Sequence, residues 1–302
     1  MALLNMGFSD MTEVTLALDA QNHLGESPMW SARDQALWWV NCELPPELHR
    51  WHPESGAHDI WPMPQRIGGF VHKAGGGLLL ALADGIFDFD MESEALTLRA
   101  PSPLPPHVKL HECGCDRQGR LWVGSFDHHF PADRGAAGGA WFRLDGSVLT
   151  PVIDGVSVSN GLAFSPDGQT LYCSNTPSRC VEAFEIDPET GALFNRRIFL
   201  SLAPSDGHID GATVDVDGGY WLAVVATGTV RRYFPDGTLD RTIALPCSNP
   251  TKPAFGGADM KTLFATSTKM VIKSDSAGAE LNGALFAVQA GFIGIDEALF
   301  AS

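Results

Sequence analysis

Four side chains able to hold a divalent cation stand far apart in this chain. They are Glu26 in Gly25-Glu26-Ser27-Pro28, His111 in Lys109-Leu110-His111-Glu112, Asn160 in Ser159-Asn160-Gly161-Leu162 and Asp210 in Ile209-Asp210-Gly211. Two carboxylates, an amide and an imidazole make a mostly oxygen donor set. The oxygens alone suit Ca²⁺, Mg²⁺ or Mn²⁺, whereas an added imidazole favours Zn²⁺ or Fe²⁺. The gaps between the four are far too long for a local motif, so only a repeating fold could bring them together. Taken singly, Asn160 and Asp210 also read as turn formers. Glu26 does not, because Glu is a poor turn former and here precedes an apolar strand.

The elements that would position them recur. Six times a polar or Gly turn runs straight into an aliphatic or aromatic pair, ending at Trp38, Leu79, Trp122, Tyr172, Trp221 and Phe264. These marks are 41 to 50 residues apart, the period of a blade of short strands. The expectation is an all-β chain, one six-bladed β-propeller domain over 1–302. Counting back from the marks, Glu26 and Asn160 lie twelve residues before Trp38 and Tyr172, and His111 and Asp210 eleven before Trp122 and Trp221. The offset is assigned to turn length, Asp167-Gly168-Gln169-Thr170 being taken as longer than Asp217-Gly218-Gly219. The same position is Lys252 in the sixth repeat and Ile67 or Gly68 in the second. All would face one axis.

Composition fits one large core. Of 302 residues, 44% are hydrophobic and 19% charged, and 32 Gly with 20 Pro supply many turns. A formal net charge of −16 disfavours nucleic acid and anionic membranes as partners. Met1 to Asp10 lacks the basic start and apolar run of a signal peptide, and no stretch reaches transmembrane length. Six cysteines without an export signal point to reduced thiols in a cytoplasm.

Strands are expected at Leu78 to Leu82, Leu121 to Ser125, Ala140 to Leu144, Leu162 to Ser165, Val181 to Ile186 and Thr229 to Phe234. Longer loops are expected at Asn41 to His49 and Phe126 to Gly139. Several other features read as structural. Cys113-Gly114-Cys115 lacks the spacing and second pair of a zinc site. His128-His129 reads as an exposed loop pair, with substrate contact the alternative. Trp38, Trp39, Trp122 and Trp221 sit at blade period and read as core. Ser27 lacks a nucleophile elbow.

The motifs also carry a family resemblance. Gly25-Glu26-Ser27-Pro28-Met29-Trp30, Ser159-Asn160-Gly161-Leu162-Ala163-Phe164-Ser165-Pro166-Asp167-Gly168, Asp210-Gly211 and Lys252-Pro253-Ala254-Phe255-Gly256-Gly257 resemble those of the gluconolactonase family, the group of senescence-marker protein, regucalcin and luciferin-regenerating enzyme. The match runs in order from about Leu24 to Phe300. It implies a six-bladed propeller with one divalent metal on its axis. It matches Glu26, Asn160 and Asp210 to the metal ligands and Asp210 to the general acid/base, and it implies hydrolysis of sugar-acid lactones. One motif departs: where the family usually has Arg-x-Asn-Asp, this chain has Lys109, His111 and Glu112. These three are the expected substrate-binding residues, with His111 either against substrate or on the metal. Asn175 stands where the family often has Asp. A small-molecule lactone is then the expected partner. The alternatives are a non-sugar ester substrate or a non-catalytic, metal-binding propeller.

Overall fold

The computed structural model describes residues 13–129, 138–270 and 279–301. Met1 to Asp10, and most of the loop expected between Phe126 and Gly139, lie outside these. Alternating apolar and polar residues, broken by turn formers, give 24 strands in six four-stranded antiparallel sheets. Blade 1 holds β2 (Gly25–Ser31), β3 (Ala36–Asn41), β4 (Glu47–Trp51) and β5 (His58–Pro62). Blade 2 holds β6 (Ile67–His72), β7 (Leu78–Leu82), β8 (Gly85–Phe89) and β9 (Leu96–Pro101). Blade 3 holds β10 (Val108–Cys115), β11 (Leu121–Asp127), β12 (Gly139–Asp145) and β13 (Val148–Val156). Blade 4 holds β14 (Ser159–Phe164), β15 (Thr170–Asn175), β16 (Cys180–Ile186) and β17 (Leu193–Ser201). Blade 5 holds β18 (His208–Val214), β19 (Tyr220–Val225), β20 (Thr229–Tyr233) and β21 (Leu239–Ala244). Blade 6 joins β22 (Pro250–Gly256), β23 (Thr262–Ser267) and β24 (Leu285–Gln289) to β1 (Val14–Leu18), so the two ends of the chain share one sheet.

The first strands β2, β6, β10, β14, β18 and β22 each pack on the next and close a ring. They are largely buried, whereas the outermost strands β9, β17 and β21 are largely exposed. The cores of the blades are therefore interleaved, as a six-bladed β-propeller requires. The expected strands are present: Leu78–Leu82 as read, three longer, Thr229–Tyr233 one residue shorter, and Ser159–Phe164 beginning earlier and ending before Ser165. The loop expected over 41–49 is shorter, because Asn41 and Glu47 to His49 belong to β3 and β4.

The recurring turns have a physical cause. Asp116 and Asp215, both fully buried, accept backbone N–H groups of the turn and the indole N–H of Trp122 (2.9 Å) and Trp221 (2.8 Å). Each acid also holds an arginine: Arg120 Nε lies 2.6 Å from Asp116, and Arg232 Nε lies 2.7 Å from Asp215. Trp38 repeats the pattern more loosely on Asp34 (3.2 Å). A buried carboxylate is tolerated here because donors surround it.

The tail after β24 was not foreseen. It bonds in turn to blades 5, 6, 2 and 3, through Ile293 O to Val216 N, Gly294 N to Met260 O, Phe300 N to His72 O and Ala301 N to Gly119 O. Ile295 and Glu297 of this tail line a cavity of about 40 Å³ with Met29, Cys113, Phe164 and Lys252. Among the described residues no helix is long and apolar enough to cross a membrane. All six cysteines are free.

Candidate active site on the propeller axis

Every first strand carries a bulge at the same level. The pairing to the second strand slips after Glu26, Ile67, Leu110, Asn160, Ile209 and Pro250. A bulge twists a strand and re-aims its side chains, so six aligned bulges turn six short segments toward the axis. All the expected site residues except Lys109 lie in or beside these bulges.

The bulges are of two kinds, a difference the count along the sequence does not distinguish. In blades 1 and 4 the first bulged residue is left-handed, Ser27 at φ 51° and Gly161 at φ 70°. Glycine meets that demand freely; serine does so under strain. There the candidate ligands Glu26 and Asn160 come just before the bulge. In blades 3 and 5 the bulged residues are His111-Glu112 and Asp210-Gly211, none of them left-handed. The expected difference in turn length is present: six residues lie between paired Phe164 and Leu171, five between paired Val214 and Tyr220. Bulge type and the facing of the marks differ as well. Trp38 and Tyr172 face the first residue after the bulge, while Trp122 and Trp221 face the second.

Glu26 is 3% exposed and accepts the N–H of Ser27 (3.2 Å). Its pKa is pushed up to about 7 by burial and by the Glu112 charge, against the pull of Lys252 and Arg66. The Asp210 carboxyl is held well above its ordinary range by burial, then by the charges of Glu26 and Glu112. No Lys or Arg among the described residues lies within 4.0 Å of either carboxylate. Glu26 and the half-buried Asp210 thus hold each other's protons in place, an arrangement that a cation between them would reverse.

Asn160 is buried, and its orientation is fixed by a relay. Thr176 Oγ1 donates to Ile209 O (3.0 Å), so toward Asn160 it can only accept, which it does from Nδ2 (2.9 Å). The amide nitrogen is therefore spent, and the oxygen is left as the donor atom for a cation. The ligand set fits an oxygen-loving divalent ion.

Blade 3 packs close to blade 2. A Cβ on Gly68 would lie 2.5 Å from His111 Cα, so only glycine allows this approach. Arg66 reaches across with Nη1 to Leu110 O (3.0 Å) and Nη2 to His111 Nδ1 (3.1 Å), and its guanidinium lies 5.4 Å from the Phe126 ring centroid. Arg66 can only donate, so Nδ1 accepts and the His111 proton sits on Nε2. Burial, then Arg66 and Lys252, holds the imidazole well below its ordinary pKa, in the neutral form. Glu112 spends both oxygens inside the protein, on Lys252 Nζ (2.7 Å) and the N–H of Leu162 (3.0 Å). Burial lifts Glu112 above its ordinary value. Burial also works against the Lys252 charge, yet Glu112, Glu297 and Glu26 outweigh it and hold that charge in place. With donors on both Glu112 oxygens, the geometry favours the ionised pair. Lys109, half-buried, pairs with Phe126 across β10 and β11.

Sequence reasoning missed Arg66, Thr176 and the Lys252–Glu112 pair. Lys252 stood at the right level but had no partner assigned. Cys113 and Cys115 are buried, with thiol pKa values pushed up by burial, as expected of structural cysteines.

Known proteins share this architecture. A 6-deoxy-6-sulfogluconolactonase of Pseudomonas putida is 36% identical over 92% of this chain and 95% of its own. An L-arabinolactonase of Azospirillum brasilense is 31% identical over 96% of each. The crystal structure of a calcium-binding protein, regucalcin, from Agrobacterium tumefaciens superposes with a TM-score of 0.89 at 26% identity, covering 96% of this chain and 98% of that one. Residues 24–269 match the sequence model of the SMP-30/gluconolactonase/LRE-like region, and the chain belongs to that family.

Proposed function

We propose that this protein hydrolyses the lactone ring of a sugar acid, with one divalent cation held by Glu26, Asn160 and Asp210. The observation that carries the reading is the pair of neighbouring carboxyls, buried Glu26 and half-buried Asp210, that no Lys or Arg among the described residues approaches within 4.0 Å. The names of the relatives point to sugar lactones as the substrate class. Three carboxylates (Glu26, Glu112, Asp210) and one ammonium (Lys252) leave two negative charges on the axis, and a divalent ion balances them. When bound, the cation supplies Lewis-acid polarisation of the lactone carbonyl. Regucalcin's calcium binding favours a hard ion, as does an all-oxygen set.

The chain's own groups do the rest. Asp210 takes a proton from the attacking water and returns it to the ring oxygen that leaves. His111, neutral and protonated on Nε2, donates a hydrogen bond to a substrate oxygen rather than ligating the metal. Lys109 offers a second, mobile donor. Glu112, expected against substrate, serves instead as the counter-charge of Lys252.

The test is Asp210→Asn, assayed on a panel of aldonolactones with and without chelator. Turnover should fall about 100- to 10,000-fold, and chelation should abolish wild-type activity. Full turnover in the variant would sink the reading.

A further inference from the structure

We propose that His107, Asp127 and His129 form a second cation site at the entry to β10, one that takes a borderline transition ion such as Zn²⁺ or Ni²⁺. Each residue brings one donor atom, and the three atoms lie within 4.8 Å of one another. The chain is built to keep them together. Asp127, 2% exposed, ends β11 and accepts the N–H of His129 at 2.9 Å, which winds the following turn back over the carboxylate. The N–H of His128 bonds to His107 O at 2.9 Å, joining that turn to the segment entering β10. Val108, next to His107, pairs in register with Asp127 itself. The two imidazoles stack at 4.2 Å and 6°.

A carboxylate capping a turn is common, and it accounts for the Asp127–His129 bond. It does not account for two imidazoles gathered on that carboxylate from separate segments. Among the described residues no Lys or Arg lies within 4.0 Å of Asp127 to take the role of counter-charge. The exposed His129 ring is free to turn its nitrogen toward a shared ion. Two nitrogens and one oxygen select zinc-like ions, while the axial oxygens select calcium-like ones. A bound ion would pin the chain leaving β11 to the chain entering β10, one residue from the Lys109–Phe126 pair. The assignment is independent of the axial site and of any catalytic reading.

The experiment is a titration of chelated, dialysed full-length protein with Zn²⁺ and Ni²⁺, followed by calorimetry, and with Co²⁺, followed by visible absorption. Wild type should bind a transition ion that Glu26→Gln still binds. His107→Gln/His129→Gln should lose that site, with affinity down at least tenfold and the Co²⁺ band of nitrogen ligation gone. Lactone hydrolysis with Ca²⁺ or Mg²⁺ should be kept. The single exposed variant His129→Gln, with circular dichroism, guards against misfolding. Equal Zn²⁺ affinity and stoichiometry in wild type and both histidine variants would overturn the proposal. A Glu26→Gln protein with unchanged turnover would instead overturn the axial reading and leave this one standing.

Discussion

Removing the carboxylate of Glu26, a proposed metal ligand, should stabilise this protein in chelator. Glu26 is buried against Asp210 and Glu112, and its pKa rises from an ordinary 4.5 to about 7. That shift corresponds to roughly 3 kcal/mol against the ionised form in the fold. The sign follows from linkage. The folded state holds the proton more tightly than the unfolded one, so stability present below pH 4.5 is lost as pH rises through about 7. Glu26→Gln keeps the shape, carries no charge and gives Asp210 an N–H donor. At pH 8 the chelated variant should therefore exceed the chelated wild type by roughly 3 kcal/mol. With about 2.1 cal/mol/K of unfolding entropy per residue over 302 residues, the gain in Tm is roughly 5 °C. The assay is thermal melting by circular dichroism from pH 4.5 to 8, with chelator and with Ca²⁺. The advantage should vanish near pH 4.5 and reverse when the cation is present. A chelated variant that melts below wild type at pH 8, or an advantage independent of pH, would refute the electrostatic account.

Thr176→Val removes the acceptor that orients Asn160, and should weaken metal binding at least tenfold by calorimetry while the fold is kept. Arg66→Met frees the His111 tautomer, and steady-state kinetics should show a raised KM with metal content unchanged. Glu112→Gln should destabilise by about 3 kcal/mol because Lys252, its side chain only 12% exposed, is left without its counter-charge. Adding Lys252→Met should recover much of that loss in denaturant unfolding, a double-mutant cycle that isolates the pair. Asp215→Asn weakens the hold on Arg232 and the Trp221 indole, and should lower Tm by roughly 5 °C, about 3 kcal/mol, without changing KM.

The propeller was legible because blades repeat: the turn-plus-aromatic marks report a periodic core, and periodic cores leave periodic sequence. The same marks located Glu26, Asn160 and Asp210 to within a residue. They could not give the register, because Ser27 and Gly161 enter the left-handed region and His111 and Asp210 do not. A glycine after Asn160 was a visible hint, but the serine after Glu26 was not. Asp116 and Asp215 were readable in principle, as an acid ahead of each Gly turn that leads into a Trp. Arg66 and Thr176 were not, because each acts on a residue of another strand and its meaning lies in which proton it fixes.

The departures of blade 3 from the usual family motif are not separate events. An imidazole at 111 needs a partner to choose its tautomer, and Arg66 of blade 2 supplies one from 3.1 Å. That reach depends on Gly68, where any side chain would push the two strands apart. A glutamate at 112 brings a third carboxylate to an axis that already has two, and Lys252 of blade 6 answers it at 2.7 Å. Replacing Glu112 alone would leave the Lys252 ammonium without its counter-charge; replacing His111 alone would take one acceptor from Arg66, which keeps Leu110 O and Glu43 at 3.7 Å. The blade 3 motif is therefore best understood as half of a set whose other half lies in blades 2 and 6. Any attempt to move this site toward another lactone must exchange His111 with Arg66, and Glu112 with Lys252, together.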